Sequence, residues 1–235
     1  MKLRGLLASC LILLCINSQA QTVAESMALF DDGKTQEAVA QLNKLGQGGN
    51  ADAQNMLGVL YDNGQGVAQD YKLARVWFER AAAQGHASAQ YHLGFMYEAG
   101  RGVVNSDKQA LHWYGLAAAA SNPSAQYRLA MMNLNGFGVK PNPVEARKWF
   151  ARAAAQGDPH AQRQLGTLYA KGLGVAQNKM LAYMWLDIAR GLGEQSAVRP
   201  LAELSETMSK EAVTRAQELA TRCIAKSYQG CEVAI

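Results

Sequence analysis

The chain has 235 residues, of which 23 are basic and 19 are acidic, and 49% of its residues are hydrophobic. Because the charges nearly balance and no basic run occurs, the sequence lacks the electrostatic signature of a nucleic-acid-binding protein. Beyond residue 20, no apolar stretch approaches the roughly 20 residues that a membrane-spanning helix requires. We therefore expect neither a nucleic-acid partner nor a transmembrane segment.

Residues 1–20 predict a cleaved secretory signal. Two basic residues precede an apolar run over residues 6–16, and small residues follow it up to Ala20. We expect a mature chain that begins at Gln21 and is periplasmic or secreted. Cys10 lies in a short lipoprotein-like box, but almost no apolar core precedes it, so its position disfavours lipid anchoring.

Residues 21–50 predict a helical pair that caps the N-terminal end of the following repeats. Two apolar segments, 22–30 and 35–45, flank an Asp-Asp-Gly turn, and Ala38 falls at the register of a recurring alanine. Partial copies at the ends are typical of repeat arrays, whose terminal faces must be covered.

Four copies of one block, spaced 36 residues apart, cover residues 51–196. They start near residues 53, 89, 125 and 161, each with an Ala-Gln pair. A Leu-Gly pair, a Gly-x-Gly pair and a tryptophan recur at fixed offsets, with alanine replacing the glycine of the Leu-Gly pair in the third copy. A fixed period of this length indicates stacked helix–turn–helix units.

Within each copy, the residue types predict where two helices begin and end. The glycine of the Leu-Gly pair is unfavourable inside a helix, so we expect a neighbouring helix to approach closely there. The Gly-x-Gly pair is expected to end the first helix. Good N-cap residues begin the second helix, at Asp70, Ser106, Asn142 and Asn178. The recurring indoles are predicted to be core residues, namely Trp77, Trp113, Trp149 and Trp185.

Residues 197–235 predict C-terminal capping helices with a disulfide tail. The helical pattern continues from Ala197 and restarts at Ser209. Cys223 and Cys231 are the only cysteines after the predicted signal, and a lone pair in an exported chain favours a disulfide. Their spacing is not Cys-x-x-Cys, so a structural clip is favoured over a redox pair.

The sequence offers no convergent group of catalytic or metal-binding residues. The four histidines fall at unrelated positions, and none belongs to a metal-ligand motif. No Gly-x-Ser-x-Gly elbow occurs, and the glycine pairs lack the lysine of a phosphate-binding loop. We therefore expect no enzymatic activity, no bound metal and no cofactor.

The repeated unit resembles a known family. It reads Ala-Gln-x-x-Leu-Gly-x-x-Tyr-x-x-Gly-x-Gly-Val, followed by Ala-x-x-Trp-Phe-x-x-Ala-Ala-x-Gln-Gly, and is similar to the Sel-one-like repeat, a relative of the tetratricopeptide repeat. The match covers residues 53–196, with departures at Asn133, Leu186 and Arg190. The resemblance implies an all-α fold, a right-handed α/α solenoid of helix–turn–helix repeats, with a scaffold or adaptor role.

In the packing that the resemblance implies, three variable positions of each first helix face a concave groove. In the two central copies these positions are Tyr91, His92, Phe95, Tyr127, Arg128 and Met131. Aromatic, methionine and arginine side chains are typical of interfaces, so we predict that these six residues bind a partner. The alternative is an ordinary helix surface, partly covered by the next repeat.

These observations favour a periplasmic, non-enzymatic scaffold that binds another envelope protein or peptide through its concave groove. Three alternatives stay open: a β-lactam-binding or hydrolysing envelope enzyme, a peptidoglycan or glycan binder, and a structural subunit of a flagellar or secretion machine. The first is suggested by cysteine-rich Sel-one-like proteins, although here only Cys223 and Cys231 show the cysteine spacing of that group.

Overall fold

The computed structural model describes residues 22–231, so the predicted signal segment, Cys10 and the cleavage site before Gln21 lie outside the described residues. Within this range the regular secondary structure is helical and no strand occurs, which confirms the predicted all-α fold. The chain divides into two compact units, Met1–Asn105 and Ser106–Ile235.

The first unit contains the first five helices. They are α1 (22–31), α2 (Thr35–Gln47), α3 (Ala51–Asn63), α4 (Tyr71–Ala83) and α5 (Ala87–Ala99). Consecutive helices pack as pairs, and their core contains Leu42, Leu57 and Trp77.

The second unit contains seven further α-helices and one short 3-10 helix. They are α6 (Asp107–Ala119), α7 (Pro123–Asn135), α8 (Pro143–Ala154), α9 (Pro159–Lys171), α10 (Lys179–Gly191), the 3-10 helix Gln195–Ala197, α11 (Val198–Glu206) and α12 (Lys210–Ala225). Its largest core cluster combines α8, α9 and α10 with side chains of α12, including Leu219 and Cys223.

The helix starts follow from side-chain capping. The predicted caps are confirmed: Asp70 accepts hydrogen bonds from two backbone N–H groups of α4, and Ser106, Asn142 and Asn178 each accept one. The first helices of the repeats are capped in the same way by Asn50, His86, Asn122 and Asp158. These bonds satisfy donors that a helix end would otherwise leave unpaired.

The Gly-x-Gly pair has two separate roles. The first glycine ends the helix in the left-handed conformation, as predicted, with φ of +70° at Gly64 and +82° at Gly136. The second glycine also has positive φ, and it lies against the start of the preceding repeat's second helix. A Cβ atom on Gly138 would lie 2.6 Å from the carbonyl oxygen of Asp107. This second role was not predicted.

The glycine of the Leu-Gly pair allows the predicted close approach between helices. A Cβ atom on Gly58 would lie 2.5 Å from the ring of Phe78, and one on Gly166 would lie 2.8 Å from Cγ of Leu186. Since core packing leaves little room for added atoms, these glycines let two helices approach more closely than an alanine would permit.

The prediction of four equivalent core tryptophans is wrong for two of them. Trp77 and Trp185 are buried, whereas Trp113 and Trp149 are half-buried. The next residue along the chain fills the centre of the core in every copy and is at most 1% exposed, namely Phe78, Tyr114, Phe150 and Leu186. The indoles lie at the edge of the apolar stripe, where neighbouring side chains decide how much of each is covered.

A recurring glutamine links each repeat to the helix that precedes it. The glutamines of the Ala-Gln pairs are buried, and each Nε2 donates to a backbone carbonyl eight residues earlier, as in Gln126 to Ala118 (3.2 Å) and Gln162 to Ala154 (3.2 Å). In two copies a second glutamine donates to the first, with Gln84 and Gln156 each 2.8 Å from their acceptors.

The fourth repeat lacks this second glutamine and offers a test. Leu192 stands where the pattern would place it, and Oε1 of Gln162 is buried without a hydrogen-bond partner. Leu192→Gln should therefore supply a donor and raise the free energy of unfolding by about 0.5–1.5 kcal/mol. Leu192→Glu is the matched control because a carboxylate cannot donate. Equal urea midpoints for these two variants would contradict the hydrogen-bond explanation.

Candidate partner-binding groove

The three predicted partner-binding residues of the first unit lie together on α5 and are half-buried. The His92 ring stacks on the Phe78 ring with centroids 4.7 Å apart, and Tyr91 meets the edge of His92 at 5.6 Å. Burial lowers the pKa of His92 and outweighs the opposing charge of Asp62, so this imidazole is neutral at neutral pH.

Phe95, the third of these residues, belongs to a cationic and aromatic cluster in the same unit. The Arg101 guanidinium lies 4.9 Å from the Phe95 ring centroid and 5.7 Å from that of Tyr71. Arg101 also forms an ion pair of 3.1 Å with Asp62. The variable face of α5 is therefore held by contacts within its own unit.

The three predicted residues of the second unit lie on α7 and are also half-buried. The Tyr127 ring lies 5.8 Å from the Phe150 ring and 5.9 Å from the His160 ring. Nε2 of Gln164 lies 3.3 Å from the Met131 sulfur. The variable face of α7 thus adjoins that of α9. The partner-binding role of the six residues stays a prediction.

The same variable face of α9 forms one wall of an open groove in the second unit. The groove has a volume of about 620 Å³ and lies between α9, the beginning of α10 and α11. Arg163 and Thr167 come from α9, Leu186 from α10, and Pro200 and Leu204 from α11. The repeated fold therefore leaves a concave surface where the last repeat meets the C-terminal helices.

A buried carboxylate organises the turn that brings α11 beside α9. Oε1 of Glu194 accepts a hydrogen bond of 3.0 Å from the backbone N–H of Ser196, at the start of the 3-10 helix. Glu194 also pairs with His160 and lies 3.8 Å from Nε of Arg163. The chain can therefore reverse direction directly after α10.

The ionised form of Glu194 is favoured despite its burial. Burial raises the pKa of this carboxyl group, but the hydrogen bonds from Ser196 and the charges of His160 and Arg163 outweigh it, so the pKa is lowered. Glu194 therefore partly neutralises Arg163, which reduces the contribution of that guanidinium to the charge of the groove.

Two lysines dominate the remaining charge of the groove. Glu203 at the rim forms an exposed ion pair of 2.7 Å with Arg199, so its negative charge is matched by one positive charge. Lys171 and Lys179 line the groove, and across the described residues neither ammonium group has a carboxylate within 4 Å. Nζ of Lys179 donates to the carbonyl oxygen of Thr207 at 3.2 Å, which leaves its charge in place. The groove is therefore positive over an apolar floor.

Only part of this groove could be predicted from the sequence. Arg163 and Thr167 occupy the variable positions of the fourth copy, but the predicted site was centred on the two middle copies. No sequence pattern marked the other lining residues as members of one site, because they lie in different helices, namely Lys171, Lys179 and Leu204. The turn at Glu194 brings α11, with Leu204, beside the end of α9 and the start of α10.

The predicted disulfide between Cys223 and Cys231 is confirmed. It closes a turn after α12, in which Nε2 of Gln229 donates to the Ala155 carbonyl oxygen at 2.8 Å. A disulfide is consistent with an oxidising compartment.

Removing this disulfide should loosen the tail. A Cys223→Ser/Cys231→Ser variant is expected to lose about 2–3 kcal/mol of unfolding free energy, because a short loop is no longer closed in the unfolded chain. Urea denaturation of the variant and of the oxidised parent would measure this difference. A Ser227→Ala variant in the same turn is the control, and an unchanged midpoint for the cysteine variant would contradict a stabilising role.

From residue 22 to residue 231, no group of three or more histidine, cysteine or acidic side chains could hold a metal ion. In the same range, every helix is too short or too polar to cross a bilayer.

Comparisons with known proteins agree with the helical pairs. The Sel1 repeat pattern matches four consecutive segments, residues 51–86, 87–122, 123–158 and 159–193. A Sel1 repeat protein from Oxalobacter formigenes is 30% identical, with a TM-score of 0.74, and the alignment covers 83% of this chain and 82% of that chain. A comparison with curated proteins gives no match.

Two other solved structures are similar. A protective antigen of uropathogenic Escherichia coli with an SLR fold is 30% identical, with a TM-score of 0.74 over 84% of this chain, which spans 44% of that chain. Pseudomonas aeruginosa pilF is 18% identical, with a TM-score of 0.58 over 93% of this chain and 98% of that chain, and shows the fold alone. On the four matched segments, the chain belongs to the Sel1 repeat family.

Proposed function

We propose that this protein is a non-catalytic scaffold of the periplasm that binds a segment of another envelope protein in the groove between α9, α10 and α11. Sel1 repeats are typical of protein–protein interaction, which supports this class of function. The observation that carries the proposal is the open groove of about 620 Å³, which lies on the variable face of the last repeat. The role requires no cofactor.

The lining of the groove suits a protein segment. Pro200 and Leu204 offer partly exposed apolar surface, and its burial contributes roughly 25 cal/mol per Å². The walls of the groove are helices, so the surface is formed before binding. This protein therefore loses little conformational entropy when a segment binds. Polar side chains at the rim, such as Gln177 and Thr207, can contact the backbone of a bound segment.

The periplasmic location is supported by two separate observations. The apolar segment before Ala20 resembles an export signal, and the disulfide of the tail needs an oxidising compartment to persist. Intact mass of the protein from a periplasmic fraction tests this part of the proposal. A mature chain beginning at Gln21 with one disulfide is expected, whereas a lipid on Cys10 would contradict it.

Site-specific photo-cross-linking in living cells tests the binding role. A cross-linking residue at Thr167 points to the groove, and one at Lys148 on the exposed side of α8 is the matched control. A discrete envelope protein joined at Thr167 and absent at Lys148 is expected. The same labelling from both positions, or none at Thr167, would contradict the proposal.

The predicted residues on α5 and those on α7 are two further candidate surfaces, one in each unit. The six residues are half-buried and carry aromatic, methionine and arginine groups. A Tyr91→Ala/Arg128→Ala variant that keeps its melting temperature but loses the partner joined at Thr167 would extend the binding surface to these helices. Unchanged capture would restrict binding to the groove.

A further inference from the structure

We infer that the groove between α9, α10 and α11 selects a carboxylate-bearing protein segment, in which acidic and apolar residues are interspersed. This inference rests on the proposed function and names the chemistry of the partner. The charges that line the groove and the apolar surface beside them support it.

Some of the charged groups at the groove are already paired with one another. Glu194 compensates Arg163, and Arg199 compensates Glu203. The ammonium groups of Lys171 and Lys179 remain uncompensated within the described part of the chain, so the groove has an excess of two positive charges. An incoming carboxylate gains from both ammonium groups, whereas an incoming cation meets repulsion.

The apolar wall of the groove favours a ligand that is not purely acidic. Leu186 lies beneath the groove and is buried, whereas Pro200 and Leu204 of α11 are partly exposed and form an apolar wall. A small anion would leave this surface in contact with water. A segment that carries both acidic and apolar side chains can contact the two lysines and cover Pro200 and Leu204 at the same time.

Arg163 helps to form the groove wall and contributes little to the choice between acidic and basic ligands. Its Nε is buried without a hydrogen-bond partner and lies 3.8 Å from Glu194, which holds the guanidinium at the groove wall. The two lysines are therefore the residues whose loss should change selectivity, and their exposed positions make folding defects small.

Fluorescence anisotropy with three labelled decapeptides tests the inference. The peptides share an amidated C-terminus and a sequence in which leucine alternates with glutamate, glutamine or lysine. The glutamate peptide should bind at least about tenfold more tightly than the glutamine peptide, as expected for a charge-assisted contact, and the lysine peptide should not bind. Raising the ionic strength should reduce this preference.

Variants of the full chain test whether the two lysines cause the preference for the glutamate peptide. Lys171→Gln/Lys179→Gln should weaken binding of the glutamate peptide by at least about tenfold and leave the glutamine peptide unchanged. Lys140→Gln/Lys148→Gln removes two exposed lysines of the same unit and should have no effect. A glutamine peptide with a free C-terminal carboxylate separates recognition of a chain terminus from recognition of acidic side chains.

The possible failures can be distinguished from one another. Equal binding of the glutamate and glutamine peptides would overturn the acidic selectivity and leave the groove as a binding site, provided that a blocking Thr167→Trp variant abolishes both. If no peptide binds, the sequence of the partner segment that is cross-linked from Thr167 tests the inference. An acidic segment supports the inference, and a basic or neutral segment overturns it. Absence of both peptide binding and cross-linking would overturn the proposed function as well.

Discussion

Trp185→Ala is expected to lower the free energy of unfolding by about 3–5 kcal/mol, the usual cost of removing a buried aromatic side chain. Trp185 is 2% exposed and lies in the main core cluster of the second unit with Phe150 and Leu165. The fourth repeat and α12 share this cluster, so the cavity would weaken both. Urea denaturation followed by far-ultraviolet circular dichroism would measure the loss.

Trp149→Ala is the matched control for this experiment. Trp149 occupies the same position of the preceding repeat, but it is half-buried and lies under the guanidinium of Arg152 at 4.4 Å. Its removal should cost clearly less than the removal of Trp185, because less apolar surface is buried and water can fill the space. Equal losses in the two variants would contradict the difference in burial.

Gly138→Ala should destabilise the second unit by about 2–4 kcal/mol. The residue has φ of +70°, which alone costs an alanine about 1–2 kcal/mol, and its Cβ would lie 2.6 Å from the Asp107 carbonyl oxygen. Relief would require a movement of the turn away from the start of α6. The melting temperature and the urea midpoint should both fall.

Gly115→Ala, in the same unit, is expected to increase stability, in contrast to Gly138→Ala. Gly115 lies inside α6, and no atom lies within 4 Å of the position of its added Cβ. Alanine has the higher helix propensity, so this variant should be more stable by up to about 1 kcal/mol. A destabilised Gly115→Ala variant would contradict the open space beside Gly115, and a Gly138→Ala variant as stable as the parent would contradict the close contact between Gly138 and Asp107.

The repeated pattern predicted the helices well because the same local rules act four times. Capping residues such as Asp70 and the left-handed glycines act within one turn of the chain, so they can be read from the sequence. The degree of burial of each indole could not be read in this way. Trp149 and Trp185 share a register, yet their neighbours in space come from different segments.

In the candidate groove, too, the features set by nearby residues could be predicted from the sequence, and those set by distant residues could not. The variable positions of α9 were visible as differences between copies, and they do line a concave surface. The opposite wall depends on the reversal of the chain at Glu194, a buried charge whose partners His160 and Arg163 lie over thirty residues earlier. No periodic signal marks such an arrangement, because it occurs once.

The second glycine of each turn bears on how a protein of this kind changes over evolution. Gly102, Gly138 and Gly174 each meet main-chain atoms of the preceding repeat, beside the chemically unlike residues Tyr71, Asp107 and Pro143. A contact between neighbouring repeats that is made by main-chain atoms does not depend on the side chains around it. Repeats can therefore be duplicated, lost or diversified on their surfaces while neighbouring copies still fit, so new binding specificities can arise without redesign of the array.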